Sequence, residues 1–93
     1  VSVVVVLPAP LRELVGGEST VKLEGAPATV GEALEALRAE HATVYHRLLT
    51  EQGELRPHVN VFVGTESIRH TGGLDTPLSP DSEVIVLPSV SGG

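Results

Sequence analysis

Two stretches of the chain are apolar at every position and a third alternates, and that contrast lays out a sheet. Val3-Val4-Val5-Val6-Leu7 and Val84-Ile85-Val86-Leu87 are continuous runs, the pattern of central strands covered on both faces. Thr20-Val21-Lys22-Leu23-Glu24 alternates polar and apolar with period two, as a strand with one wet face does. Val59-Asn60-Val61-Phe62-Val63 places valines on one face and Asn60 and Phe62 on the other. It turns at Gly64-Thr65 into the short segment Glu66-Ser67-Ile68-Arg69, for which a hairpin is the simple reading. Pro8-Ala9-Pro10 and Pro88 end the two continuous runs, because proline cannot donate to a ladder. Gly16-Gly17, Gly72-Gly73 and Ser79-Pro80-Asp81-Ser82 read as turns, and Gly25-Ala26-Pro27-Ala28 as a loop.

A helix is predicted from Thr29-Val30-Gly31-Glu32, which has the capping-box spacing. Val30, Ala33, Leu34, Leu37 and His41 form one stripe, with Glu32, Glu35, Arg38 and Glu40 off it, so one face docks on the sheet. Thr43 to Leu49 reads as a second, shorter helical segment closed by the polar loop Thr50-Glu51-Gln52-Gly53-Glu54. The order β-β-α-β-β predicts an α+β fold, a mixed sheet of four to five strands on one main helix with its first and last strands side by side. Helices cover only one face of such a sheet, so the other face is left partly open, and an exposed apolar patch marks a partner surface. Phe62 belongs either to the core or to that patch, and Leu87 is a candidate for it because it precedes the tail.

Composition narrows the chemistry. Ninety-three residues give one domain, and with Tyr45 and Phe62 the only aromatics the core must be built almost entirely from Val, Leu, Ile and Ala. The net charge of -6, with five arginines and Lys22 scattered along the sequence, argues against nucleic acid and for a basic partner surface. Absence of cysteine excludes disulfides, thiolate catalysis and cysteine zinc sites, and fits a reducing cytoplasm. The apolar start, Val1 to Leu7, lacks a basic flank and falls far short of the roughly 20 residues of a membrane span, so no membrane role is expected. His41 and His46 are five apart rather than four, and His58 and His70 flank different strands, so neither a metal site nor a cofactor is expected. The glycine pairs lack Gly-x-Gly spacing between strand and helix and are not phosphate loops. No paired acid and base mark an independent enzyme.

What remains is the end of the sequence. A domain over residues 1–87 is followed by Pro88-Ser89-Val90-Ser91-Gly92-Gly93, which fully extended reaches about 20 Å. Glycine lacks Cβ, so a partner's channel can close round Gly92 and Gly93. The functional group is then the Gly93 carboxylate, a poor electrophile until activated, for instance as an acyl-adenylate from ATP. Sulfur displacing AMP leaves a thiocarboxylate, and a chain without thiols cannot capture the activated carbonyl itself. In this reading Gly93 is the covalent site, and Gly92, Ser91, Val90, Ser89, Leu87 and Phe62 contact the partner.

Three segments resemble the ubiquitin-like (β-grasp) sulfur carriers, which include the molybdopterin synthase small subunit and the carriers of thiamine and cysteine biosynthesis. Leu11-Arg12-Glu13-Leu14-Val15-Gly16 looks like the molybdopterin synthase small subunit, Thr29-Val30-Gly31-Glu32-Ala33-Leu34 like the common helix start, and Leu87 to Gly93 like the family tail. Val59 to Val63 and Ile68-Arg69-His70-Thr71-Gly72-Gly73-Leu74-Asp75-Thr76 are most similar to the cysteine-pathway carrier. Two departures stand out: Pro80-Asp81-Ser82-Glu83 where an Asp-Gly-Asp-type turn is usual, and Ser89 and Ser91 where small apolar residues are common. The resemblance implies an E1-like ATP-dependent activating enzyme and a sulfur-accepting synthase as partners, with a metallopeptidase trimming the tail. The acceptor it implies is a cysteine synthase using an activated serine, or a sulfur-inserting enzyme of specialised metabolism. Two other roles stay open, molybdopterin synthase small subunit and protein modifier conjugated through Gly93.

Overall fold

The two continuous apolar runs lie side by side at the centre of one sheet. In the computed structural model, which describes residues 2–88, β1 (Val3–Val6) pairs in parallel with β5 (Glu83–Pro88), setting Val4, Val5 and Val6 opposite Glu83, Val84 and Ile85. The alternating segment forms β2 (Thr20–Leu23), antiparallel to β1 on its outer edge. On the other side β3 (Val59–Val63) runs antiparallel to β5 and turns at Gly64 (φ 62°) into β4 (Glu66–Ser67), giving the order β2-β1-β5-β3-β4. β5 runs one residue further than its apolar pattern predicts, with Pro88 opposite Val59.

Helices cover one face. Thr29 caps α2 (Val30–Glu40), its hydroxyl accepting the Glu32 N–H at 3.2 Å, while the Glu32 carboxylate accepts the Ala28 N–H at 3.0 Å, one residue before the position a capping box uses. Val30, Ala33, Leu34 and Leu37 are all buried in the core. His41 departs from the expected stripe: α2 ends at Glu40, and His41 is the half-exposed joint (φ -138°, ψ 66°) from which α3 (Ala42–Leu48) starts. A third helical piece was not legible from periodicity. Pro8 precedes α1 (Ala9–Arg12), whose first turn contains Pro10, and a 3-10 turn over Glu13–Val15 follows, burying Leu11 and Val15. Proline in a first helical turn was its signal.

The aliphatic core expected from composition includes one aromatic. Tyr45, on α3, is buried, donates its hydroxyl to Glu35 at 2.9 Å, and lies under the Arg38 guanidinium at 5.1 Å. The hydrogen bond to Glu35, burial and the negative charge of Glu35 raise its pKa above 10.0, with Arg38 opposing. A raised folded-state pKa means that its contribution is fully present at lower pH and fades once the unfolded chain releases the phenol proton, above pH about 10. Tyr45→Phe removes that contribution. Its urea midpoint should therefore lie below wild type at neutral pH, with the gap narrowing as pH rises past about 10; a gap that widens would contradict the assignment.

Candidate functional site

Burial alternates within the continuous runs. Val3, Val5 and Leu7 of the first run, and Val84 and Val86 of the second, face the helices and are buried. Val4, Val6 and Ile85 face the other way and are only half-buried. Register aligns them across the sheet: Val6 is opposite Thr20 on one side and Ile85 on the other, Ile85 is opposite Phe62, and Phe62 is opposite Ser67. At the strand spacing of a sheet this row spans about 19 Å. Lys22, Val4 and Glu83 form a second row, and Leu87 lies opposite Asn60.

The face not covered by helices thus carries Val4, Val6, Ile85, Phe62 and Leu87 with charges at one end. Leu87 is 44% exposed, one of two large exposed apolar side chains among the described residues. Phe62 is on this open face, opposite to the buried Val59 and Val61. Val4, Val6 and Ile85 were hidden in the sequence by the continuous runs, where open-face and core valines look alike; reading alternate positions would have found them. The remaining predicted site residues, Ser89, Val90, Ser91, Gly92 and Gly93, lie outside the described residues. The chain enters them from Pro88, which follows Leu87 of this face and is itself opposite Val59.

The histidines are dispersed: His41 joins two helices, His46 is on α3, His58 precedes β3 and His70 lies in a 3-10 turn after β4. Among the described residues no three His, Cys, Asp or Glu side chains are grouped to hold a metal ion, and no helix is long and apolar enough to cross a membrane.

The model of the ThiS family matches residues 5–93. Small archaeal modifier protein 3 of Haloferax volcanii is 40% identical over 85 residues, 91% of each chain. The sulfur carrier protein CysO of Mycobacterium tuberculosis is 34% identical over 94 residues, 99% of each. A chain from the crystal structure of the Amycolatopsis orientalis BexX/CysO complex superposes with a TM-score of 0.87 at 36% identity, covering 99% of this chain and all of that one.

An aromatic on an open face stabilises less than one in a core. Phe62→Ala should cost well under the roughly 3–5 kcal/mol of a fully buried phenylalanine, whereas Leu34→Ala should cost roughly 2–5 kcal/mol, both read from urea unfolding. A Phe62→Ala cost equal to that of Leu34→Ala would return Phe62 to the core.

Proposed function

The chain belongs to the ThiS family, close to the CysO-type thiocarboxylate carriers, and from that premise we propose that Gly93 is its sulfur-carrying residue. A member of this family is a ubiquitin-like sulfur donor activated by an E1-like enzyme, a protein co-substrate rather than an enzyme. Residues 89–93, which follow the Pro88 that ends β5, then serve as the tail. Once Gly93 is terminal, by a metallopeptidase cut where one is needed, its carboxylate attacks the α-phosphorus of ATP and releases pyrophosphate. A sulfur nucleophile displaces AMP from the acyl-adenylate, and the thiocarboxylate passes to a sulfur-accepting synthase in the cytoplasm.

The observation that carries this reading is the in-register apolar row through Val6, Ile85 and Phe62, continuing in Leu87 to the edge from which the tail departs. An enzyme gripping Gly92 and Gly93 must pass over that edge, and the open face offers it apolar area. Ser89 and Ser91 remain small enough to enter a channel. The chain's own nucleophiles are few: it has no cysteine, and its single lysine, Lys22, is in the row that ends at Glu83, at the opposite end of β5 from Pro88. Similarity to CysO supports a cysteine synthase as the acceptor, and similarity to small archaeal modifier proteins supports a second use, conjugation of Gly93 to lysines of other proteins.

Intact-mass measurement after incubation with ATP, an E1-like activating enzyme and a sulfide source tests the reading. The mass should rise by the difference between sulfur and oxygen. Deleting Gly93 should abolish the gain and leave the thermal midpoint nearly unchanged, since a terminal residue contributes little to a core. No gain on the intact chain with several activating enzymes would overturn the carrier role, and adducts on foreign lysines would establish the second use.

A further inference from the structure

Four of the arginines that look scattered in the sequence are brought toward one cavity by the fold. Arg12 donates to the Leu7 carbonyl at 3.0 Å, Arg56 to the His46 carbonyl at 2.9 and 3.0 Å, and Arg69 to the carbonyls of Pro57 and Val59 at 3.5 Å. Each acceptor is at, or next in sequence to, a residue lining one cavity. Pro8, Arg47, His58 and Val59 line it with Pro88, the last residue before the tail. The cavity holds about 170 Å³, and Leu11, Leu48 and Val86 contribute to its apolar wall.

These arginines are held by carbonyls, not by carboxylates. A carbonyl fixes a guanidinium in place and leaves its charge uncompensated, whereas a carboxylate would neutralise it. Among the described residues the only ion pair is Arg38 with Glu35, on α2. In a chain with net charge -6, Arg47 therefore lines the cavity that Pro88 also lines, and Arg12, Arg56 and Arg69 are bonded to carbonyls of residues in or next to that lining. Glu66 and Glu83 stand at the other end of the sheet, beside the turn between β3 and β4.

Resting on the reading that an E1-like enzyme takes the tail, we propose that this basic, apolar-floored end is a second docking element for that enzyme. Its complement is the rim of the enzyme's tail channel, carrying carboxylates that face Arg47 and its neighbours and one aliphatic side chain that enters the cavity. Continuity decides the location, because the rim must surround the chain where it leaves Pro88. Charge decides the chemistry: an acidic rim is attracted to this end and repelled by most of the remaining surface, which orients the carrier tail first.

The test uses the full chain and the activating enzyme that thiocarboxylates it. Arg47→Glu should raise KM for the carrier about tenfold at roughly 50 mM NaCl and about twofold or less at 0.5 M, as screening shortens the reach of the charges. Its kcat and thermal midpoint should stay near wild type. Arg38→Glu makes the same change in net charge on α2 and should move KM less than about twofold. An unchanged KM for Arg47→Glu, or an equal rise for Arg38→Glu, would overturn the proposal. So would an unchanged KM together with a lower thermal midpoint for Val90→Asp, which would show the tail itself in the cavity. Failure of the wild-type chain to accept sulfur refutes the carrier reading instead, and this proposal with it.

Discussion

Parallel pairing of β1 with β5 constrains everything else in this molecule. Two parallel strands cannot be joined by a tight turn, so the chain must leave the end of β1, cross over and return to start β5 from the same end. β2, the helices, β3 and β4 fill that long excursion, and the helices settle on one face. The apolar runs at the centre are consequently buried on the helix side and half-open on the other. The pairing also puts the end of β5, where the tail starts, beside the end of β1 and the beginning of β3.

Function follows from that placement. A sulfur carrier needs a stable body, a reactive terminus able to enter another protein, and a surface that tells the partner which end to take. The helix side supplies the body, with Val30, Ala33, Leu34 and Leu37 inaccessible to solvent. The open face offers apolar area at Val6, Ile85 and Phe62, and we propose that the partner reads it together with the arginines near the exit of the tail. Chemistry itself is delegated, because a member of the ThiS family is a protein co-substrate rather than an enzyme.

Much of this is legible in the sequence. Continuous apolar runs identified the central strands, the alternation of Thr20 to Leu23 identified an outer one, and Thr29 with Glu32 marked the helix start within a residue. Such signals are local: they depend on spacing within a few positions. α1 was obscured because Pro8-Ala9-Pro10 stops a strand and starts a helical turn with the same residues. The basic end was hidden for a different reason, since Arg56 and Arg69 reach carbonyls 10 to 12 residues away, and only the fold brings those segments to the foot of the tail. Phe62 was ambiguous between core and patch, and register with Ile85 places it on the open face.

Every later step of the proposed function requires that an activating enzyme adenylate the Gly93 carboxylate of this chain. Adenylation is reversible, so exchange of labelled pyrophosphate into ATP reports it without any sulfur source or acceptor. The intact chain should drive exchange with an E1-like enzyme, and the chain lacking Gly93 should not. Exchange that persists without Gly93, or that never responds to the intact chain, would show that Gly93 is not the residue activated.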